Sequence, residues 1–243
     1  MLATALGPSL QLPPPYALVT LREHGDAFEH TCRIAGAAGA GTLVWVRRFD
    51  LVEFAVVLEP DEPLASARRA FFAGMVALAD AVAARCPPEV SLAFAWPDAL
   101  HYDGALLGGG RLGWPADCAE AQVPDWLVFA AMLIASKHGF GDPGLTPDST
   151  SLEEEGFEAE DRYGLVEGFA RHLMSGFDAW AERGFESVAR RYLARLEGGR
   201  NRSIDANGDL LVHGAAGAPE RVPLLAALAR PSWLDPVRNM PRL

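Results

Sequence analysis

The sequence predicts an α+β fold built on a mixed, mostly antiparallel sheet. Strand-like and helix-like segments are interleaved without the regular spacing of β-α-β units, and hairpin-like pairs of strands recur, as at 42–58 and 203–212. Two segments, 64–85 and 160–183, repeat apolar residues at intervals of three and four, which is typical of helices that bury one face. We therefore expect a sheet with these two helices packed on it.

The first half of the chain predicts four strands and two helices. Phe71, Met75, Leu78 and Val82 share one face of the second helix, and the pair Pro87-Pro88 ends it. The first helix is weaker, because its apolar residues are sparse. The predicted strands lie at 16–21, 42–46, 52–58 and 90–96, and the predicted helices at 22–37 and 64–85.

The second half contains one ambiguous segment, 126–136, which is almost wholly apolar. It fits a strand if both of its faces are covered and a helix if they are not; we favour the strand. Further predictions are a strand at 105–112, helices at 160–183 and 185–196, and a hairpin at 203–212 that turns on Asn207-Gly208. A change of composition after residue 197 divides the chain into a main domain, 1–197, and a short C-terminal hairpin and tail, 198–243.

Composition excludes several classes of protein. The net charge of −11 over 243 residues argues against a nucleic-acid surface, and no apolar run is long enough to span a membrane. The start of the chain does not resemble a secretory signal, and three scattered cysteines form no disulfide framework, so we expect a cytoplasmic protein. The histidines and cysteines show no metal-ligand spacing, so we expect no structural metal.

Familiar catalytic motifs are missing from the sequence. The glycine-rich run at 36–41 follows a predicted helix and carries no Gly-Lys-Ser/Thr, so it matches no phosphate-binding loop. No Gly-x-Ser-x-Gly elbow is present, and Cys118, in a polar loop, would need a cationic partner to act as a nucleophile, so we favour an incidental cysteine. The most informative block is 93–114, in which a Trp-Pro-Asp turn follows a buried strand and a glycine-rich strand comes next. Its glycines allow a ligand, or another backbone, to approach closely.

This block resembles the biotin/lipoate protein ligase family. Trp96-Pro97-Asp98 stands where biotin protein ligases carry Trp-Pro-Asn-Asp, and Gly109 falls where the glycine of their Lys-x-x-Gly strand belongs. Further similarities follow in the family's order along the chain. They are the segments 41–45 and 53–60, the Thr-Ser-Leu at 150–152, the helix ending at Arg183 with Gly184-Phe185, and the hairpin at 203–212.

The resemblance implies the fold that the family shares with class II aminoacyl-tRNA synthetases, a mixed sheet with helices packed on one side. It also implies ATP and biotin, or lipoate or octanoate, as cofactor and substrate. The implied chemistry is activation of a small carboxylic acid as its adenylate and transfer to a lysine on a biotinyl or lipoyl carrier domain. The alternative is a catalytically inactive member that serves as a small-molecule-binding or dimerisation module; as a dimerisation module it would form a homodimer.

The sequence departs from the family where the chemistry lies. The family's arginine-rich loop corresponds to 37–42, which holds no arginine, and the family's lysine falls near Leu106. Lys137 is the only lysine of the chain. If 126–136 pairs antiparallel with 105–112, Lys137 lies near Leu106 and supplies the missing catalytic cation; the alternative is an ordinary loop lysine.

The Trp-Pro-Asp turn, the glycine-rich strand and the family resemblance together predict one concave ligand site. Its predicted lining is Trp45, Trp96, Asp98, Gly108, Gly109 and Gly110, with Arg47, Arg48 or Arg111 nearby to meet an anion. Whether this site retains catalysis is left open by the sequence.

Overall fold

A seven-stranded mixed sheet forms the centre of the protein in a computed structural model, which describes residues 10–23, 25–139, 145–199, 201–215 and 217–243. The strand order is β1-β2-β3-β7-β6-β5-β4, and only β1 and β2 run parallel. The predicted α+β class is confirmed. The strands are β1 Ala17–Leu21, β2 Thr42–Val46, β3 Leu51–Leu58, β4 Leu92–Ala95, β5 Ala99–Tyr102, β6 Ala105–Gly113 and β7 Leu127–Ile134.

Six helices accompany these strands within the described residues. Their bounds are α1 Ala27–Ala38, α2 Leu64–Ala67, α3 Ala70–Ala83, α4 Asp161–Arg183, α5 Glu186–Arg195 and α6 Leu224–Leu228. No helix in these parts of the chain is long and apolar enough to cross a membrane.

The ambiguous segment at 126–136 forms the central strand β7. It pairs antiparallel with β3 on one side and with β6 on the other, so Ala131 lies opposite both Phe54 and Gly110. Every residue of β7 is buried, because helices cover one face of the sheet and other elements cover the opposite face. A strand that is buried on both faces has a continuous run of apolar residues, which explains why 126–136 lacks the apolar–polar alternation of a half-exposed strand.

Side chains of β3 alternate between the two faces of the sheet. Phe54 and Val56 join the large core under α3 and α4, whereas Ala55 and Val57 pack with α1. Phe54 contacts Phe169 of α4, with ring centroids 4.6 Å apart. The two predicted long helices therefore lie on one face as expected, and the shorter α1 lies on the other.

Helix α3 approaches the sheet closely at Gly74. A Cβ atom at this position would lie 2.3 Å from the Phe129 ring of β7. The glycine thus lets the helix backbone rest directly on an aromatic ring of the central strand.

Two predicted helices differ from the structure. The helix predicted at 64–85 is interrupted at Arg68 and Arg69, whose guanidinium groups bind the carbonyls of Ala65 and Ser66, and i→i+3 backbone bonds replace the α-helical pattern there. The helix predicted at 22–37 begins only at Ala27, because the side chain of Asp26 accepts the Glu29 amide and caps it. His24, inside that predicted helix, lies outside the described residues.

The C-terminal region adds two small sheets. Strands β8 Arg202–Ile204, β9 Leu210–Val212 and β10 Glu220–Val222 form the first, and β11 Leu234–Asp235 and β12 Met240–Pro241 form a short hairpin. The predicted hairpin at 203–212 is confirmed by the pairing of β8 with β9. Leu210 and Leu224 join the main core, whereas the β11–β12 hairpin packs on β6 and β7 over the face opposite α3.

Replacing Gly74 with alanine tests the close approach of α3. We expect Gly74→Ala to lower the free energy of unfolding by about 1–3 kcal/mol, because the new methyl group overpacks against Phe129. Gly176→Ala is the matched control, since Gly176 is also inside a helix but nothing lies within 4 Å of its Cβ position. The control is expected to gain about 0.5–1 kcal/mol from helix propensity. Urea denaturation measures both; equal stability of the two variants contradicts the packing described.

Candidate functional site

The turn between β2 and β3 concentrates charge at one end of the sheet. Arg48 binds both carboxylate oxygens of Asp50, at 2.7 and 2.6 Å, and reaches Glu53 at 3.1 Å. Arg47 lies beside it, exposed, and its side chain makes no hydrogen bond or ion pair with any described residue. The turn therefore holds one guanidinium in place and leaves the next one available.

A cleft of about 690 Å³ opens beside this turn. We call it the arginine cleft. Arginines from three separate segments surround it, together with aromatic side chains that give it apolar walls. Its charged and aromatic lining consists of Arg22, Glu23, Trp45, Arg47, Arg48, Phe49, Arg162 and Tyr163.

Helix α4 braces the cleft through its first turn. Arg162 donates to the carbonyl oxygens of Arg48 and Phe49, at 3.3 and 2.9 Å, and so holds the β2–β3 turn against the helix. Tyr163 packs edge-on against Trp45, with ring centroids 5.1 Å apart. These contacts fix the cleft walls without using Arg47 or Arg22.

Glu53 links the turn to the start of α1. Its Oε1 atom accepts the backbone amide of Ala27 at 2.7 Å, and its other oxygen meets Arg48. Burial raises the pKa of Glu53, although the Ala27 amide and Arg48 both favour its charged form. This carboxylate therefore anchors the base of the turn and neutralises part of the charge on Arg48.

The predicted glycine strand is covered on both faces. A Cβ atom at Gly110 would lie 2.6 Å from the Met75 sulfur on the α3 side, and one at Gly109 would lie 2.5 Å from Nε1 of Trp233 on the opposite side. Trp233, from the segment just before β11, is only 1% exposed. The space that the sequence assigned to a ligand at Gly109 is therefore occupied by an indole of the same chain. At Gly108, a Cβ atom would lie 2.1 Å from the carbonyl oxygen of Met132.

Trp96 and Asp98 are two residues apart but have different side-chain neighbours. Trp96 packs against Phe72 and Tyr192 in the helical core, with centroid separations of 5.7 and 6.1 Å. Asp98 is completely buried beneath the C-terminal segment, where Ser232 reaches it at 3.5 Å and its Oδ2 atom has no hydrogen-bond partner among the described residues. Burial raises the pKa of Asp98 to about 7.

Arg111 lies on the same face as α1. Its guanidinium stacks on the ring of Phe28, 3.9 Å from the centroid, and burial lowers its pKa. With Glu53 and Trp233 it lines a void of only about 10 Å³. This arginine is separated from the open arginine cleft.

Lys137 is buried at the end of β7. Its ammonium group donates to the carbonyl oxygens of Thr146 and Ser149 and forms an ion pair with Glu154 at 3.1 Å. Ser149 in turn forms an isolated β-bridge with Leu106. The ammonium group of Lys137 therefore binds the backbone of a residue that pairs with Leu106. Three acceptors already engage its three donors, and its side chain is 5% exposed.

The structure thus gathers Trp45, Arg47 and Arg48 in one cleft and places the other predicted site residues elsewhere. Sequence reasoning did not include Arg22, Arg162 and Tyr163 in the site. Only Arg162 could have been noticed in the sequence. A basic residue in the first turn of a helix is unfavourable to the helix dipole, which suggests that its side chain binds a group outside the helix. Nothing in the local sequence marks Arg22 or Trp233 as neighbours of the predicted site. The described residues hold no group of three or more metal-ligating side chains.

The buried carboxyl of Asp98 makes stability depend on pH. The folded chain holds this proton up to about pH 7, whereas the unfolded chain releases it near 3.8, so stability falls as pH rises between these values. We expect wild type to lose about 2–4 kcal/mol relative to Asp98→Asn between pH 4 and pH 7. Urea denaturation of both proteins across this range measures the difference; parallel pH profiles contradict the assignment.

The chain is similar to known proteins in both sequence and structure. A sequence model of the biotin/lipoate A/B protein ligase family matches residues 12–194. A biotin protein ligase-like protein of unknown function from Silicibacter sp. TM1040 is 27% identical, with a TM-score of 0.77 over 90% of this chain and 98% of its own. No match was found among curated proteins.

Biotin protein ligases themselves share the fold at lower identity. The enzyme from Aquifex aeolicus is 13% identical, with a TM-score of 0.63 over 84% of this chain and 94% of its own. A structure of it in complex with biotin and ATP is 12% identical, with a TM-score of 0.62 over 84% and 94%. The class II synthetase-like fold is therefore confirmed. Because the family's sequence model matches most of the residues of this chain, the chain belongs to the biotin/lipoate A/B protein ligase family.

Proposed function

We propose that this protein binds a small carboxylic acid, or the adenylate of that acid, in the arginine cleft. The observation that carries the proposal is the available guanidinium of Arg47, on the wall of a cleft of about 690 Å³ with aromatic sides. Charge-assisted hydrogen bonds from arginine suit carboxylate and phosphate groups, and the apolar walls suit the body of an organic acid.

The arginines of the cleft lie at the other end of β2 from the segment that corresponds to the family's arginine-rich loop. The segment 37–42, which corresponds to that loop in the sequence comparison, leads into the first residue of β2, whereas Arg47 and Arg48 follow its last residue. Cations suited to an anionic group are thus present in this chain, but at the other end of the same strand. Biotin, lipoate and octanoate are the acids that family membership suggests, with ATP as the source of an adenylate; the Aquifex aeolicus relative was solved with biotin and ATP.

Binding without transfer is the better supported form of this proposal. A catalytic role for Lys137 remains a prediction, and its contacts with Ser149, Thr146 and Glu154 would have to break before its ammonium could meet a ligand. Losing such contacts from a buried cation is costly unless the ligand replaces them. Activation of the acid and its transfer to a carrier-domain lysine are therefore the second candidate function, and a cytoplasmic location and a homodimer remain expectations.

Isothermal titration with biotin, lipoate and octanoate tests the binding function. We expect at least one acid to bind and Arg47→Gln to weaken it about tenfold, because a charge-assisted hydrogen bond is lost. Arg171→Gln is the matched control, since Arg171 is exposed on α4 and does not line the cleft. Equal affinities of the two variants, or no binding of any of the acids, would contradict the proposal.

A further inference from the structure

A second cleft, of about 740 Å³, lies at the opposite end of β2 and β3 from the arginine cleft. Half-buried side chains of Leu58 and Met174 form its apolar floor. Tyr16, from the N-terminal arm, and Phe177 and Trp180 of α4 are half-buried along its sides. Its size falls within the range of about 300–1,000 Å³ that is usual for small-molecule sites.

The charges of this second cleft are all of one sign. Glu59, Asp61, Glu62 and Asp178 line it, and no basic side chain of the described residues does. We therefore call it the acidic cleft. Glu62 is paired with Arg69 at 2.8 Å, and Glu59 accepts the amide of Ala40 at 3.1 Å.

Two of its carboxylates remain available to a ligand. Asp61 and Asp178 are exposed, and neither carboxylate makes a hydrogen bond or an ion pair with any other described residue. They come from different elements, the turn after β3 and helix α4, and both line this cleft. A cation bound between them would be attracted by both.

The aromatic wall already attracts a cation from the protein itself. The guanidinium carbon of Arg69 lies 5.5 Å from the centroid of Trp180 and 4.8 Å from that of Phe185. Phe177 stacks beside Trp180, with centroids 6.0 Å apart, and both line the acidic cleft. Aromatic faces next to carboxylates favour a cation that also carries an apolar body.

We propose that the acidic cleft binds a small organic cation, an ammonium group on an apolar body. The body packs on Leu58, Met174 and Phe177, and the ammonium group lies between Asp61 and Asp178 beside Trp180. This site is distinct from the proposed acid site, because residues 53–55 of β3 lie between the residues that line the two clefts, a separation of about 13 Å along the strand.

Octylammonium and octanoate provide a matched pair of probes, because they have the same chain length and opposite charge. In isothermal titration at physiological salt, octylammonium is expected to bind the wild-type protein, and Asp61→Asn/Asp178→Asn is expected to weaken it about tenfold. Neutral octanol is expected to bind more weakly than octylammonium. The same double variant leaves any octanoate binding unchanged, so failure of this site and failure of the arginine cleft are distinguishable.

The control for net charge is Glu89→Gln/Asp117→Asn, which alters the charge equally at two exposed positions outside the cleft. We expect it to retain full octylammonium binding. Equal weakening by both double variants would show general attraction to an acidic protein and overturn the proposal. Equal affinities for octanol and octylammonium would overturn it as well, and so would binding of a basic peptide with none of octylammonium.

Discussion

The glycine-rich strand β6 is closely packed on both of its faces, and this packing organises the layers of the protein. On one face, Gly110 leaves room for Met75 and Phe129; on the other, Gly109 leaves room for Trp233. No side chain larger than hydrogen fits at either position without moving these neighbours. The helical layer and the C-terminal hairpin can therefore both rest on the same strand, and the centre of the sheet is closed from both sides.

This closure determines where open space remains. Trp233 seals the face over Gly109, and the void left beside Arg111 is too small for an organic ligand. The two large clefts lie instead at opposite ends of β2 and β3, one lined by arginines and the other by carboxylates. The chain has a strong net negative charge, yet it concentrates positive charge at one turn. That separation of charge supports different ligands for the two clefts.

Most of the fold could be predicted from the sequence because its elements are specified locally. Apolar spacing marked α3 and α4, and the buried run at 126–136 fitted a strand between two covered faces. The site was harder to predict, because its neighbours come from distant segments. Arg162 joins the turn at Arg48 and Phe49 across more than a hundred residues, and Trp233 reaches Gly109 across a similar separation. The resemblance to a family located the motif around Gly109, but it could not show that Trp233 of the same chain occupies the space beside that glycine.

An acid in the arginine cleft should leave Trp233 packed on Gly109. A crystal structure of the protein grown with octanoate would show both groups at once. We expect density for the carboxylate beside Arg47, with the indole of Trp233 still packed on β6. Octanoate lying on Gly109, with Trp233 and the β11–β12 hairpin displaced, would contradict this expectation.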